Sequence, residues 1–309
     1  MQEANRLPQP REGIRQRLRR IFARDAGLGY LMLLPLVVFV IGMLAYPFFY
    51  ALYLSFSKKM LGLEHIFIGV SNYVELLTKD LRFRKVAINS IVYALSAVAL
   101  KLLFGMIMAL VLNQPIRARG FFRGLLLLPW VMPTVVTALT WNWIFDGTFG
   151  VLNHILMSLH LVAMPIPWLA DRTFAMVALI LVNAWRGFAF FGVSLLAGLQ
   201  TIPQERYEAA EVDGASVVQR FRHITLPGLR GVIIVTTMLS TIWTFNDFAL
   251  PMILTRTGPN DATNIFGTYT YQVGFIGSRL GYGIAATAIM MPFLFGLILF
   301  LSPKMWREE

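Results

Sequence analysis

Glu208-Ala209-Ala210-Glu211-Val212-Asp213-Gly214-Ala215-Ser216-Val217-Val218-Gln219-Arg220-Phe221-Arg222-His223-Ile224-Thr225-Leu226-Pro227 is a polar stretch between two long apolar runs. Its alanines, glutamates and glutamine favour helix. Gly214 is expected to end the first helix, because glycine adopts a positive φ without strain. Pro227 is expected to stop a second, shorter helix, since it cannot donate within one. Pro203 suits the first turn of the leading helix, where its missing N–H is not needed. Glu205 and Glu208 stand near the positive end of that helix. Ala209 and Ala210 are small enough to let another surface approach closely. Phe221 and Leu226 are apolar and can anchor the second helix.

The composition around this stretch is that of a membrane protein. Hydrophobic residues make up 57% of the 309 residues and charged residues 14%, against roughly 25% charged in soluble domains. The chain has no cysteine, which excludes disulfides, thiol nucleophiles and cysteine metal sites. His65, His154, His160 and His223 are scattered, and no pair has metal-ligand spacing. The net charge of +11 is read as basic loops facing anionic lipid rather than nucleic acid.

A spanning helix needs roughly 20 mostly apolar residues. Six segments qualify: 28–57, 86–113, 124–145, 173–204, 231–255 and 280–303. Their only charges are Lys101, Arg186 and Asp247. The expected fold is an all-α integral membrane protein with six transmembrane helices. Residues 149–170 are also uncharged but contain Asn153, His154, Ser158, His160, Pro165 and Pro167. They read as an extracytoplasmic loop with a short helix. A seventh span would also put the Glu208 loop and the basic N-terminus on opposite sides.

Basic residues set the orientation. Arg6, Arg11, Arg15, Arg17, Arg19, Arg20 and Arg24 precede the first span. With Arg117, Arg119, Arg123, Arg206, Arg220, Arg222, Arg230, Lys304 and Arg307, sixteen lie on one side and nine on the other. Both termini are therefore expected in the cytoplasm. The first apolar run is longer than the roughly 7–15 residues of a signal peptide's apolar region, so it reads as a span. The expected organisation is a basic cytoplasmic tail over 1–27, a first span with its extracytoplasmic loop over 28–86, a main transmembrane domain over 87–303 containing a cytoplasmic loop at 201–230, and a cytoplasmic tail over 304–309.

The polar stretch resembles the E-A-A loop of the membrane subunits of binding-protein-dependent ABC importers, through Glu208, Ala209, Ala210, Asp213, Gly214, Ala215, Leu226 and Pro227. The resemblance implies a type I importer permease whose short cytoplasmic coupling helix docks in a separate ATPase, with Glu208 pairing to basic residues there. No lysine follows a glycine, so the chain has no phosphate loop of its own. By resemblance, ATP and magnesium belong to two partner ATPase subunits, and this chain carries no cofactor. A second permease of different sequence, an extracytoplasmic solute-binding protein and membrane lipids complete the expected partners. The expected place is the bacterial cytoplasmic (inner) membrane.

Polar residues within spans are default candidates for a solute path. Trp185, Arg186, Trp243, Asn246 and Asp247 are those candidates. Indole faces suit the C–H surfaces of sugars and carboxamides suit their hydroxyls. The structural alternative is that Arg186 and Asp247 pair with each other or with a neighbouring subunit, and Lys101 reads as snorkelling or pairing within the bundle. Trp243-x-Phe245-Asn246-x-Phe248, Leu254-Thr255, Gly258-Pro259 and Tyr269-x-Tyr271-x-x-x-Phe275 resemble the carbohydrate-uptake branch, the maltose- and glycerol-phosphate-type permeases. Phe67-Ile68-Gly69-x-x-Asn72-Tyr73 and Leu196-Ala197-Gly198-Leu199-Gln200-x-Ile202-Pro203 point the same way. Thr257-Gly258 departs from the branch's usual double glycine before Pro259. An anionic sugar derivative or glycerol phosphate is the alternative solute, with Arg186 as counter-charge. A membrane-embedded enzyme is disfavoured, because the spans hold one carboxylate and no histidine. A receptor without transport is the remaining rival.

Overall fold

The computed structural model describes residues 25–301. The arginine-rich tail up to Arg24, and Lys304 and Arg307 of the C-terminal tail, lie outside the described residues. Among the described residues the regular structure is helical, apart from two-residue strands β1 (Ser57–Lys58) and β2 (Ile66–Phe67), antiparallel with Ser57 opposite Phe67. The chain divides into two compact units after Tyr53. The break falls within the segment 28–86 that the sequence reading took together. The first unit contains nearly all of α1 (Asp25–Ser55), a 31-residue helix that is apolar on every side, the pattern of a helix surrounded by lipid.

In the second unit, α2 (Ser71–Thr78) leads to α3 (Leu81–Asn113). The carboxylate of Asp80 caps α3 by accepting from the Phe83 amide at 2.8 Å. α7 (Arg172–Leu199) begins in the same way, with Asp171 Oδ1 accepting from the amides of Thr173 and Phe174. α3 and α7 make the most extensive contact between any two elements. Small residues allow it: a Cβ on Gly105 would overlap Phe191, and one on Gly192 would overlap Met108. In a bilayer such close approach gains van der Waals contact, because lipid supplies no hydrophobic drive between helices.

The third apolar segment is not one continuous helix. α4 (Arg119–Val131) and α5 (Thr134–Ile144) meet at 92°. Pro133 explains the break. It has no N–H to continue the ladder, and it forces Met132 into extended backbone, with ψ at 132°. α6 (Val151–Ser158) is the short helix of the loop that follows. Asn153 pins that loop, accepting from the Ile166 amide and from Trp168 Nε1 at 3.0 Å.

The fifth apolar segment is also interrupted. α11 (Arg230–Phe245) ends at Phe245, and α12 (Ala249–Leu254) resumes after three residues. Pro251 would clash with the carbonyl of residue 247 in a continuous helix. α13 (Phe266–Tyr271), a π-helical turn (Gln272–Ile276) and α14 (Leu280–Leu301) are the last of the described elements. Among the described residues, three helices are long and apolar enough to cross a membrane, or five if each bent pair is one span; α14 is a further apolar helix of 22 residues.

A polar staple fixes the 256–279 loop to the start of α3. Arg82 donates to both oxygens of Asp261, at 2.8 and 2.7 Å. Tyr269 and Tyr282 donate to Asp80 Oδ2 at 2.6 and 3.0 Å. Thr257 has φ +66°, a region costly for a β-branched residue. Its hydroxyl accepts from Gln272 Nε2 at 2.9 Å, a contact that glycine cannot make.

Candidate functional site

The polar stretch quoted first folds into a two-helix protrusion. α8 (Gln204–Val212) follows Pro203 and ends before Gly214, whose φ is +77°. α9 (Val217–Arg220) opens with a capping box, Ser216 and Gln219 each bonding the other's backbone amide. Glu211 and Arg220 brace the two helices at 2.9 Å. The second helix widens into a π-helical turn (Phe221–Thr225) and continues through α10 (Leu226–Gly228), so it ends one residue past Pro227. The turn from Val217–Gly228 into α11 is 65°.

Glu208, Ala209, Asp213 and Gly214 are exposed, while Ala210 and Ala215 are half-buried. Ala210, Asp213, Gly214 and Ala215 edge a hollow of about 360 Å³ between the helices. Val212, Val217 and Val218 expose 88, 72 and 73% of their surface, an apolar tip on an otherwise polar protrusion. The root is firmly packed. Leu229 is wholly buried, Phe221 and Leu226 pack on the Phe191–Leu195–Leu199 cluster, and Tyr207 Oη lies 3.0 Å from Thr225 Oγ1. An exposed tip on a rigid root is suited to transmitting a push.

The second feature is a cavity of about 450 Å³ at the break between α11 and α12. Arg186, Trp243, Asn246 and Asp247 line it together. Trp185 is not among its lining residues; its ring meets Trp141 edge-on at 5.4 Å between centroids. Lys101, Trp130, Thr134, Asn183, Thr244 and Phe248 complete most of the wall.

Each lining group is held by a distinct local cause. Asp247 lies in the helix break, where Oδ1 accepts from the Leu250 amide at 3.4 Å. Its Oδ2 accepts from Tyr93 Oη at 2.7 Å and from Asn183 Nδ2 at 3.1 Å. Asn246 Nδ2 bonds back to the Ile242 carbonyl at 2.9 Å, holding the last turn of α11. Lys101 is 6% exposed and donates to Thr244 Oγ1 at 3.0 Å and Ser240 Oγ at 3.3 Å. Gly187 leaves room for its stem, since a Cβ there would lie 2.5 Å from Lys101 Cε. Among the described residues no ion pair joins Arg186 to Asp247, and Arg186 Nε has no hydrogen-bond partner. Asn183 Oδ1, also buried, is likewise unbonded.

The cavity is thus lined by aromatic faces, two carboxamides, two cations and one carboxylate, while the unbonded Asn183 Oδ1 and Arg186 Nε are shielded from solvent. Trp130 and Trp243 flank Phe190 with centroids 6.1 and 5.0 Å from it. Tyr93 and Asn183 are not among the residues that charge, an indole ring or Asn246 marked out within the spans, although each is a polar side chain in an apolar run.

The chain matches the family model described as "Binding-protein-dependent transport system inner membrane component" over residues 101–303. It is 33% identical over 290 residues to the trehalose/maltose transport system permease protein MalF of Thermococcus litoralis, covering 93% of this chain and 96% of that protein. It is 34% identical over 270 residues to the sulfoquinovosyl glycerol transport system permease protein SmoG of Agrobacterium fabrum, covering 86% of each. A chain of a bacterial alginate ABC transporter, solved in complex with an alginate pentasaccharide-bound periplasmic protein, superposes with a TM-score of 0.79. That likeness covers 94% of this chain and 98% of the other at 23% identity, and is one of fold.

Proposed function

Because the chain belongs to the family of binding-protein-dependent transport system inner membrane components, we propose that it is the permease subunit of an ATP-driven carbohydrate importer. It admits a sugar, oligosaccharide or polyol delivered by an extracytoplasmic binding protein. It does not hydrolyse ATP itself: ATP and magnesium are bound by two separate ATPase subunits, which dock on the Glu208–Ala215 protrusion. A second permease of different sequence completes the pathway. The termini and the protrusion face the cytoplasm, and α6 with its following loop faces outward.

The observation that carries the carbohydrate reading is the lining of the cavity. Trp130 and Trp243 offer indole faces beside the carboxamides of Asn183 and Asn246. A pyranose needs that combination of stacking surface and hydrogen-bonding groups. Relatives named for trehalose or maltose and for a sulfoquinovosyl glycerol agree with it. A second reading, an anionic sugar derivative or glycerol phosphate, is favoured by one feature: Lys101 and Arg186 line the cavity against the single carboxylate of Asp247.

The test is uptake by the reconstituted complex. Gly214→Val places a branched side chain at φ +77°, which costs on the order of 1–2 kcal/mol and deforms the protrusion. Uptake should be lost while assembly and binding-protein affinity persist; normal uptake in the assembled variant rejects the coupling role. Competition by neutral against anionic sugars separates the two solute readings.

A further inference from the structure

The cytoplasmic end of α4 and the end of α7 meet at one side chain. Arg119 and Arg123 are four residues apart on α4 and so share a face. With the Gln200 carboxamide turned so that its oxygen faces them, that oxygen accepts from Arg119 Nη2 at 3.1 Å and from Arg123 Nη2 at 3.3 Å. Both Nε atoms are shielded from solvent, so both stems are packed as well as bonded. Neither arginine forms an ion pair among the described residues. One amide oxygen therefore holds two like charges together.

The position of this contact gives it meaning. Gln200 is the residue at which α7 ends, just ahead of Pro203 and the protrusion. α4 spans roughly 20 Å at 1.5 Å per residue. At its far end Trp130 packs on Phe190 of α7. Trp130 and Thr134, the latter just past the 92° bend, line the cavity, and so do Asn183 and Arg186 of α7. α4 is thus fixed to α7 at both ends, and each helix carries part of the cavity wall.

We propose that Arg119 and Arg123 latch α4 to α7 through Gln200, so that the protrusion moves two walls of the cavity as one body against the α11 wall bearing Trp243. Without the latch, a displaced α7 would leave the cytoplasmic end of α4 behind, and Trp130 would be drawn off Phe190. These three are positioning residues: they touch no solute. The proposal rests on the coupling role given to the protrusion.

The experiment compares Gln200→Leu with Gln200→Glu in proteoliposomes holding the full complex, measuring solute moved and binding-protein-stimulated ATP hydrolysis together. Leucine removes the acceptor; glutamate keeps one and adds a counter-charge. Gln200→Leu should lower solute moved per ATP by about tenfold, the scale of a typical coupling energy, with hydrolysis retained. Gln200→Glu should keep the wild-type ratio. A wild-type ratio in Gln200→Leu overturns the latch. If Gln200→Leu does not assemble, the double variant Arg119→Gln, Arg123→Gln decides: a lowered ratio supports the latch, and a wild-type ratio or failed assembly overturns it. Gly214→Val, run alongside, separates the two claims. An inactive Gly214→Val with a normal Gln200→Leu sinks the latch alone, whereas a fully active Gly214→Val sinks the coupling role of the protrusion.

Discussion

Tyr93 and Asp247, 154 positions apart, are joined by a hydrogen bond of 2.7 Å from the phenol to Oδ2. Asn183 closes the triangle, donating to Tyr93 Oη at 2.6 Å and to the same carboxylate oxygen at 3.1 Å. Together these bonds tie α3 and α7 to the break between α11 and α12. A carboxylate in a membrane interior is tolerated only with such partners.

Tyr93→Phe should therefore destabilise the protein without changing its shape. A hydrogen bond to a charged group contributes about 1.5–3 kcal/mol, and Asp247 would keep only Asn183 and the Leu250 amide. The Tm of the purified complex should fall measurably. An unchanged Tm would show that the triangle carries no net stability.

Trp243 and Trp185, both candidate solute contacts from sequence, should now behave differently. Trp243→Ala and Asn246→Ala should lower uptake about tenfold or more, because a stacked or bonded polar contact contributes roughly 1–3 kcal/mol. Trp185→Ala should mainly lower stability, by about 0.5–1.5 kcal/mol from its pair with Trp141. Transport rates and Tm measured on the three variants test this; equal loss of transport from Trp185→Ala would place Trp185 on the path.

The chain lacks cysteine, which makes its orientation simple to test. Ser158 and Ser216 are both exposed. Ser158→Cys should react with a membrane-impermeant thiol reagent applied outside intact cells. Ser216→Cys should react only after the membrane is opened. The reverse pattern would invert the topology.

Acid should loosen the 256–279 loop. Burial pushes the Asp80 and Asp261 carboxyls up, but hydrogen bonds outweigh it: from Tyr269, the Phe83 amide and Tyr282 on Asp80, and from Arg82 and Asn264 on Asp261. Both carboxyls titrate below the ordinary aspartate range. A lowered folded-state pKa gives stability that is present above the unfolded value, near 3.9, and lost as pH falls through the folded value. Amide exchange in this loop, corrected for intrinsic rates, should be steady above about pH 5 and accelerate below about pH 4. Asp261→Asn should exchange fast already at neutral pH, and slow exchange in that variant would show that Arg82 does not hold the loop.

The class, the positions of the apolar segments and the two-helix protrusion were all legible in the sequence, because each follows from local rules. Apolar runs report solvent, Gly214 reports a positive φ, and Pro203 reports the start of a helix. Prolines were read less well. The helix that Pro227 was expected to stop does end one residue beyond it, but Pro133 and Pro251 break segments that looked continuous. Proline's local effect is fixed, but whether a helix bends, breaks or tolerates it depends on which neighbours take up the freed backbone groups.

The cavity was legible only in part. Arg186, Trp243, Asn246 and Asp247 stood out as polar or aromatic residues in apolar runs, and they do share one cavity. That Trp185 turns away to Trp141, that Lys101 bonds Ser240 and Thr244, and that Tyr93 reaches Asp247 were decided by tertiary structure. Sequence determined which segments are apolar and which residues a bilayer would penalise, because those depend on each segment and its solvent. The partner of each penalised group was settled only when α3, α7 and α11 came together, because a hydrogen bond between residues 154 apart leaves no trace in the periodicity of either helix.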